Sequence, residues 1–371
     1  MSLPNYMYKG NNMKIHSKTT ASLALFTLVL SSPVMAAPTT YNADVITTVS
    51  FMENFAYTNE AALQINEATL SLVRNRDDKI YNGYDVWIAP LKSKNTKDNS
   101  IRSGSSSIKT GNYGSDLNLK GVSVGLEREF THRKDFVGVL ANIGKVDVNT
   151  KGIASHVNND VDYYSMGLYG KFRMTKKFTM FTDVLFTHTK SDINAKIASV
   201  GSDDTMRSIR TDVRANIISA GLGMSYKKRF AYIDFYPHIS ARYTVFRNMD
   251  NHNFYNAVSQ KVGSSEVEKI KFISVPFGLT ATKSFVVGGV SIAPKFDITC
   301  TYNFFEDYDK DVKVGSNNIK VKSELIEKFG YNATFGVDVQ YKSFDFGLNA
   351  SFGKDGDTDR SSLLASVSYA F

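Results

Sequence analysis

The sequence predicts an all-β protein: a 12-stranded antiparallel transmembrane β-barrel with a short N-terminal helix in the lumen. Three observations lead to this fold class. From Tyr84 onward, apolar and polar residues alternate with a period of two in twelve segments. Many segments run for about 12 residues or more, against about 5–6 in ordinary strands. The connections between them alternate between short and long, which is typical of transmembrane barrels.

The twelve segments are separated by polar loops or tight turns. The connections are short after the second, fourth, sixth, eighth and tenth segments, and most of the others are longer or more polar. An even number of strands places both ends of the sheet on the short-turn side. The segments are 84–91, 117–130, 135–148, 160–172, 178–189, 211–226, 231–246, 271–282, 286–304, 330–341, 344–352 and 360–371.

The alternation separates apolar from polar side chains. In the segment 231–246, Ile239 and Tyr243 share one face, while Ser240 and Arg242 share the other. We expect the apolar face to contact lipid and the polar face to line a wet lumen. Because backbone groups in lipid must all be hydrogen-bonded, the sheet has to close on itself.

Prolines fall inside four of these segments and predict local irregularity. Proline donates no hydrogen bond to a β-ladder and usually marks an edge or a bulge. A closed barrel has no edge, so we expect bulges or local breaks at Pro90, Pro237, Pro276 and Pro294.

Aromatic residues near the short-turn ends predict a girdle at one membrane interface. The alternative is that they are ordinary aromatic residues of a β-core. The residues are Phe130, Phe172, Phe178, Phe246, Tyr341, Phe344, Tyr369 and Phe371.

Residues 1–36 have the pattern of a leader and secretory signal. Lys14 and Lys18 precede the apolar stretch 21–30, and small residues follow it, so we expect cleavage near Ala36/Ala37. The apolar stretch is shorter than the roughly 20 residues that a membrane-spanning helix needs. Residues 37–53 then form a short linker.

The segment 54–78 differs from the rest of the chain. Its apolar residues recur at spacings of three and four, which indicates a helix. Such a helix would lie against the mouth of the barrel, 79–371, or plug it. We expect its arginines and the polar strand faces to supply lumen charges, which either pair with one another and water or tune ion passage. These candidate residues are Arg74, Arg76, Asp234, Arg242, Lys295 and Asp297.

Composition and motifs argue against several functional classes. The formal net charge of +8 is spread along the chain, so we expect no nucleic-acid partner. Cys300 is the only cysteine and can form no intrachain disulfide. The histidines are scattered, and neither a Walker A nor a G-x-S-x-G motif occurs. We therefore expect no catalytic residues, no metal and no cofactor.

A secretory signal, a short helix and twelve alternating strands ending in "SVSYAF" together resemble the translocator domain of autotransporters (type V secretion). The resemblance covers about 54–371 and rests on order and count rather than on one motif. It implies a helix that runs through the lumen and joins the first strand on the periplasmic side. It also implies an outer-membrane location and export of a linked N-terminal segment.

The resemblance further implies an assembly signal and partners. The terminal "YAF" resembles the signal read by the outer-membrane assembly machinery, here carried by Val367, Tyr369 and Phe371. Expected partners are the lipid bilayer and lipopolysaccharide of the outer membrane, the assembly machinery and periplasmic chaperones. We expect a monomer.

The sequence departs from the family pattern in one respect. Autotransporters usually carry a long passenger between signal and helix, whereas only 37–53 lie there in this sequence, as a linker or vestigial passenger. A small plugged pore or porin-like channel is therefore kept as an alternative function, and an outer-membrane surface enzyme as a remote one.

Overall fold

Twelve long antiparallel strands dominate the computed structural model of the chain. They are β1 (Tyr84–Ile101), β2 (Thr110–Phe130), β3 (Asp135–Lys151), β4 (Ser155–Arg173), β5 (Phe178–Ile197), β6 (Arg207–Tyr226), β7 (Ile233–Asn248), β8 (Ile270–Thr282), β9 (Val290–Phe305), β10 (Phe329–Tyr341), β11 (Phe344–Asp355) and β12 (Thr358–Ala370). Each of the twelve predicted segments overlaps one of these strands, in the predicted order. The start of the ninth segment, 286–304, was wrong, because a hairpin turn at 288–289 separates residues 286–287 from β9.

The structure describes residues 63–64, 66–74, 83–101, 110–130, 135–151, 155–197, 207–248, 252–256, 261–265, 270–305, 308–314, 317–323 and 327–371. The predicted signal 1–36, its cleavage position and the linker 37–53 lie outside these residues, as do both ends of the predicted helix 54–78. Within the described ranges, no helix has the length and apolarity needed to span a bilayer.

The sheet closes into a barrel between its first and last strands. β12 pairs with β1 from Asp85↔Ala370 to Lys97↔Thr358. The Tyr84 N–H donates to the Phe371 carbonyl oxygen at 3.0 Å, and the Phe371 N–H donates back to Tyr84 O at 2.9 Å. The remaining neighbours pair in sequence order around the ring. The predicted 12-stranded antiparallel barrel is confirmed.

Six shorter strands extend the connections of the barrel: Lys228–Phe230, His252–Asn256, Lys261–Ser265, Phe285–Val287, Tyr308–Val314 and Asn317–Ser323. At the short-turn end, Val287 and Val290 face each other across a two-residue hairpin turn. Both turn residues, Gly288 and Gly289, have positive φ (56° and 83°). Because glycine carries no Cβ, this left-handed turn forms without strain.

Side chains alternate between the lumen and the outside, as the period of two requires. On β1, Trp87, Ala89 and Leu91 are buried inside the barrel, whereas Val86 and Ile88 are exposed on the outside. The same alternation on the other strands covers the outer surface with apolar side chains. A soluble protein rarely leaves so large an apolar surface uncovered, and a bilayer covers it here.

Pro90 and Pro276 each interrupt one β-ladder without shifting its register. The ladder between β1 and β12 is broken at Pro90 and its neighbour, and the ladder between β7 and β8 is broken at Pro276 and its neighbour. Pairing on the other side continues, as Pro90↔Val122 and Pro276↔Thr301. Of the two predicted irregularities, bulges or local breaks, local breaks occur at these positions.

Pro237 and Pro294 also interrupt one β-ladder each without shifting its register. The β6–β7 pairing stops at Ser225↔His238 and resumes at Lys228↔Phe235. The β8–β9 pairing stops at Thr282↔Lys295 and resumes at Phe285↔Ile292. In an antiparallel sheet the N–H of a residue points to only one of its two neighbours. Each proline therefore removes a donor on a side where pairing is interrupted.

Most of the predicted interfacial aromatics lie exposed on the outside of the barrel near the short turns. Their exposed fractions exceed 40% for Phe130, Phe178, Tyr341, Phe344, Tyr369 and Phe371. Phe172 is half-buried at the same end. The assignment of Phe246 to this girdle was wrong, because Phe246 lies at the long-loop end of β7 and points into the lumen, where it is 6% exposed.

Candidate functional site

The lumen contains the short helix, and this combination is the candidate functional site. Residues 63–64 and 66–74 are helical, within the predicted segment 54–78. In a helix, positions three, four and seven apart share a face. Asn66, Thr69 and Val73 therefore lie on one side, and Glu67, Ser71 and Arg74 on another.

The interior faces of β1–β5 form an apolar wall against which the helix packs. Leu72 and Val73 of the helix are each 5% exposed and belong to the same buried cluster as this wall. Burial of such side chains supplies most of the free energy that holds packed elements together. The wall residues are Trp87, Ala89, Leu91, Leu117, Leu119, Leu140, Val146, Val148, Val161, Tyr163, Tyr169 and Leu185, and Leu364 of β12 extends the cluster.

Small gaps in this wall make room for its largest rings. A Cβ on Gly125 of β2 would collide with the Trp87 ring, and a Cβ on Gly121 or Gly144 would collide with the Tyr163 hydroxyl. Glycine at these positions therefore lets the rings lie flat across the strands. The space next to the wall remains open for the helix.

Buried polar contacts fix the position of the helix on the apolar wall. Asn66 Nδ2 donates to Thr187 Oγ1 at 3.0 Å, and Asn142 Nδ2 donates to Asn66 Oδ1 at 2.8 Å. The hydroxyls of Thr69 and Ser123 share a hydrogen bond of 3.0 Å. These groups are all buried, so a rotated or shifted helix would lose bonds that water could not replace.

A buried hydrogen-bond chain supports the wall below the helix. Trp87 Nε1 donates to Tyr169 Oη at 2.9 Å, and Tyr169 Oη donates to Glu127 Oε1 at 2.6 Å. All three residues are 5% exposed or less. The indole N–H thus has a partner although its ring is buried in an apolar cluster.

The interior faces of β7–β12 form a polar wall on the opposite side of the helix. Arg242 of β7 binds Asp183 of β5 through two parallel bonds, Nη1–Oδ1 at 2.7 Å and Nη2–Oδ2 at 2.9 Å. Its Nε donates to Glu67 Oε1 of the helix at 2.6 Å. One guanidinium therefore joins the barrel wall to the helix with charge-assisted bonds.

Two further charged groups of the polar wall are satisfied by wall residues. Asp297 accepts from His238 Nε2 at 3.0 Å and from the Thr280 hydroxyl at 2.6 Å. Lys295 Nζ lies 3.0 and 2.8 Å from the two carboxylate oxygens of Asp338. These bonds involve barrel residues alone, whereas the third bond of Arg242 is made to the helix.

A cavity of about 240 Å³ remains between the helix and the polar wall. Glu67, Ser71 and Arg74 line it from the helix, and mostly polar side chains line it from the barrel. The barrel residues include Arg242, Lys295, Asp297, Thr299, Thr301, Asn332, Thr334 and Asn349. The helix thus fills one side of the lumen closely and the other incompletely.

The helix runs from the long-loop end toward the short-turn end of the barrel. Leu63 packs against Phe246 and Phe272, which lie at the long-loop ends of β7 and β8. The Arg74 guanidinium lies 5.8 Å from the centre of the Phe181 ring, close to the short-turn end of β5. The N-terminal end of the helix therefore faces the long loops.

The predicted lumen charges occupy different places. Arg242, Lys295 and Asp297 lie in the lumen. Asp234 lies at the short-turn end instead, where its carboxylate contacts Arg229 at 2.7 Å and Lys227 at 3.0 Å.

Arg74 faces the cavity, and its Nη2 donates to Ser71 Oγ at 3.3 Å. Arg76 lies outside the described residues.

Asp183, His238 and Asp338 were missed as partners of these charges. Each lies on the lumen face of its strand by the same alternation that identified Arg242 and Lys295. The alternation of inward and outward positions could have identified them: Asp183 stands between Phe181 and Leu185 on the inward face of β5. Pairing across 59 residues, as between Asp183 and Arg242, becomes visible only in the folded barrel.

The predicted assembly signal lies on the outside of the closing strand. Val367, Tyr369 and Phe371 are 39%, 41% and 64% exposed. The Tyr369 and Phe371 rings stack with centres 6.0 Å apart, and Phe371 also stacks on Tyr84 at 6.1 Å. The three side chains are therefore accessible along one edge of the barrel closure.

The described ranges contain no group of three or more His, Cys, Asp or Glu side chains placed to hold a metal ion. The pairs of the polar wall are each satisfied by neighbouring wall residues. The lumen geometry is thus that of a conduit with a helix inside it.

A closed 12-stranded barrel with a helix in its lumen and an apolar exterior defines a class of outer-membrane translocator barrels. Residues 98–351 match the family model of the autotransporter β-domain. The match spans more than half of the sequence, and the chain belongs to this family. The predicted family and outer-membrane location are confirmed.

Solved structures of autotransporters are similar to the whole barrel. The translocator domain of NalP from Neisseria meningitidis is 11% identical, with a TM-score of 0.60 over 85% of this chain and 98% of that one. The transport unit of AIDA-I from Escherichia coli is 12% identical, with a TM-score of 0.56 over 86% and 99%.

The β domain of the Bordetella autotransporter BrkA is 14% identical, with a TM-score of 0.52 over 78% and 100%. At these identities the likeness shows the fold. A sequence comparison with curated proteins gave no match. The porin-like alternative has less support than the translocator.

Proposed function

We propose that the barrel exports the chain segment that precedes its helix and that the helix then stays in the lumen. The direction of the helix carries this proposal. Its N-terminal end faces the long loops, which in outer-membrane barrels are external. A segment joined to that end would emerge outside the cell, while the other end leads to β1 on the periplasmic side.

The contacts of the helix support a resting state in which it closes most of the lumen. Leu72 and Val73 pack on the apolar wall, and Glu67 binds Arg242 across the lumen. The remaining cavity is lined by polar groups that water satisfies. Such an arrangement would hold the helix after export and leave little room for free diffusion.

Surface display of a tag tests export. An epitope inserted between residues 37 and 53 of the full chain should be bound by antibody on intact cells and removed by added protease. The matched control carries the same epitope in the short turn 342–343, where only permeabilised cells should bind antibody. A tag in 37–53 that stays protected in intact cells, in a barrel that still shows heat-modifiable gel migration, contradicts export.

Conductance tests closure of the lumen. Deletion of 37–78 from the barrel should raise single-channel conductance in planar bilayers well above that of the full chain. Equal conductance of the two proteins, both with heat-modifiable migration, would contradict closure by the helix and favour the porin-like alternative.

We further propose that Val367, Tyr369 and Phe371 are recognised by the outer-membrane assembly machinery after delivery by periplasmic chaperones. Their exposed positions on β12 and at the residue that follows it support this role. The assembled barrel would then act as a monomer without catalytic activity, surrounded by phospholipid and lipopolysaccharide. Deletion of Phe371 should lower the yield of membrane-inserted barrel more than it lowers export per inserted barrel. Normal insertion after the deletion would contradict the proposal.

A further inference from the structure

The connections at the short-turn end of the barrel are basic. The five short connections, 131–134, 174–177, 227–232, 283–289 and 342–343, contain lysine and arginine but no aspartate or glutamate. The long connections 198–206, 249–269 and 306–328 contain acidic residues, such as Asp203, Asp204 and Glu306, whereas 102–109 and 152–154 contain none. Among the connections, acidic residues therefore occur only at the long-loop end.

We name this feature the basic rim. In the described residues it consists of Lys176, Lys177, Lys227, Lys228, Arg229, Lys283 and Lys342. Asp234 binds both Arg229 and Lys227, and the adjoining strand ends add the acids Glu129, Asp135 and Asp345. Lys176, Lys177 and Lys228 are exposed. The rim therefore keeps a net positive charge after its internal pairing.

Cations of the rim lie beside exposed aromatic rings. Lys283 Nζ is 4.7 Å from the ring centre of Phe285, and Lys342 Nζ is 5.1 Å from that of Tyr341. Both rings are more than 40% exposed. Aromatic side chains on the outer surface mark the headgroup level of a bilayer. Cations next to them therefore lie at the level of the lipid phosphates.

The rim also extends around the barrel. Its turns join β2 to β3, β4 to β5, β6 to β7, β8 to β9 and β10 to β11. At the sixth junction, between β12 and β1, Arg128 on the outside of β2 lies 5.7 Å from the Tyr84 ring centre. A protein partner would need charge on one side of the rim, whereas an annulus of lipid meets it on every side.

We propose that the basic rim binds the headgroups of anionic glycerophospholipids in the periplasmic leaflet. Clusters of lysine and arginine at a membrane surface attract anionic lipids, and several such residues act together. The occupant is a phospholipid rather than lipopolysaccharide, because the short turns face the periplasm. The rim would thereby gather anionic lipid around the barrel and fix its depth in the bilayer.

Lipid enrichment around the full chain tests the proposal. The protein is reconstituted in nanodiscs of phosphatidylethanolamine and phosphatidylglycerol in equal parts, and the lipids that remain bound after partial delipidation are measured by native mass spectrometry. The rim variant replaces four lysines of the short turns, and the control replaces four lysines of the long connection between β9 and β10. The rim variant is Lys176→Gln, Lys177→Gln, Lys228→Gln and Lys283→Gln, and the control is Lys310→Gln, Lys313→Gln, Lys320→Gln and Lys322→Gln.

The parent chain should retain phosphatidylglycerol in preference to phosphatidylethanolamine. The rim variant should lose this preference by roughly tenfold or more, and the control should keep it. Both variants carry the same change in net charge, and heat-modifiable migration establishes that each is folded. Equal loss in the two variants, or no lipid preference in the parent chain, would overturn the proposal. Assembly in cells that fails in the rim variant while the lipid preference persists would assign the rim to an acidic protein partner and would also overturn it.

Discussion

The two walls of the lumen hold the same helix by different physical means. The apolar wall of β1–β5 buries Leu72 and Val73 in a packed cluster that leaves little space. The polar wall of β7–β12 reaches the helix through the Glu67–Arg242 ion pair and leaves a cavity of about 240 Å³. Packing is non-directional and strong, whereas the ion pair is directional and open to water.

This difference explains how the barrel can hold the helix firmly while part of the lumen stays open. The closely packed side supplies stability to both helix and barrel. The polar side bonds its charged groups within the wall, Lys295 to Asp338 and Asp297 to His238 and Thr280, so these groups do not depend on the helix for partners. A lumen lined by apolar residues on all sides would bind any passing segment and would dewet.

The largest loss in the free energy of unfolding is expected for a substitution in the apolar wall. Trp87→Ala removes a ring that is 2% exposed together with its hydrogen bond to Tyr169. We expect a loss of about 3–5 kcal/mol in the free energy of unfolding, as for other buried tryptophans. Denaturant titration of the vesicle-embedded chain, read by heat-modifiable gel migration, measures it. Trp87 is the only tryptophan, so fluorescence cannot serve.

The matched control for this change lies on the polar wall. Asn349 of β11 is similarly buried, at 6% exposed, and lines the cavity. Asn349→Ala should cost about 1 kcal/mol or less, because water already has access to that side. Equal losses for Trp87→Ala and Asn349→Ala would contradict the division of the lumen into two walls.

The sequence predicted the barrel far better than it predicted the contacts of the helix. Lipid on one side and water on the other impose a strict period of two, so strand positions and inward faces such as that of Arg242 follow directly. Closure follows as well, because no edge is tolerated in a bilayer.

The contacts of the helix depend on register between distant strands. Glu67 meets Arg242 only because β7 stands next to β6 and opposite the helix. Phe246 was misplaced because its end of β7 was taken for a short-turn end. The sequence predicted an irregularity at each proline but not which ladder it would interrupt, because that depends on which neighbour the missing N–H faces.

An intermediate loss in the free energy of unfolding is expected where Arg242 of the polar wall binds Asp183 of β5. Arg242→Met leaves the carboxylate of Asp183, 6% exposed, without its bidentate partner. We expect a loss of about 3 kcal/mol, near the lower end for broken buried pairs, because the cavity admits water. Denaturant titration measures the loss. The double variant Arg242→Met with Asp183→Asn should recover a good part of it, and no recovery would show that Arg242 acts through packing rather than charge.

The smallest effect on stability, and the sharpest on the helix, is expected from Glu67→Gln. Glu67 is 48% exposed and gives Arg242 its only bond to the helix among the described contacts, while Asp183 still satisfies the guanidinium. The barrel should lose only about 0.5–1 kcal/mol. The helix, however, would lose its charge-assisted bond to the polar wall and keep its apolar packing and its amide and hydroxyl bonds. Transient openings should therefore become more frequent in single-channel recordings. Asp338→Asn is the control, since it removes a polar-wall carboxylate that binds Lys295 and does not touch the helix. An equal change of opening frequency in both variants would show that the polar wall acts on the lumen through its overall electrostatic field. Glu67 would then not be specifically required to hold the helix.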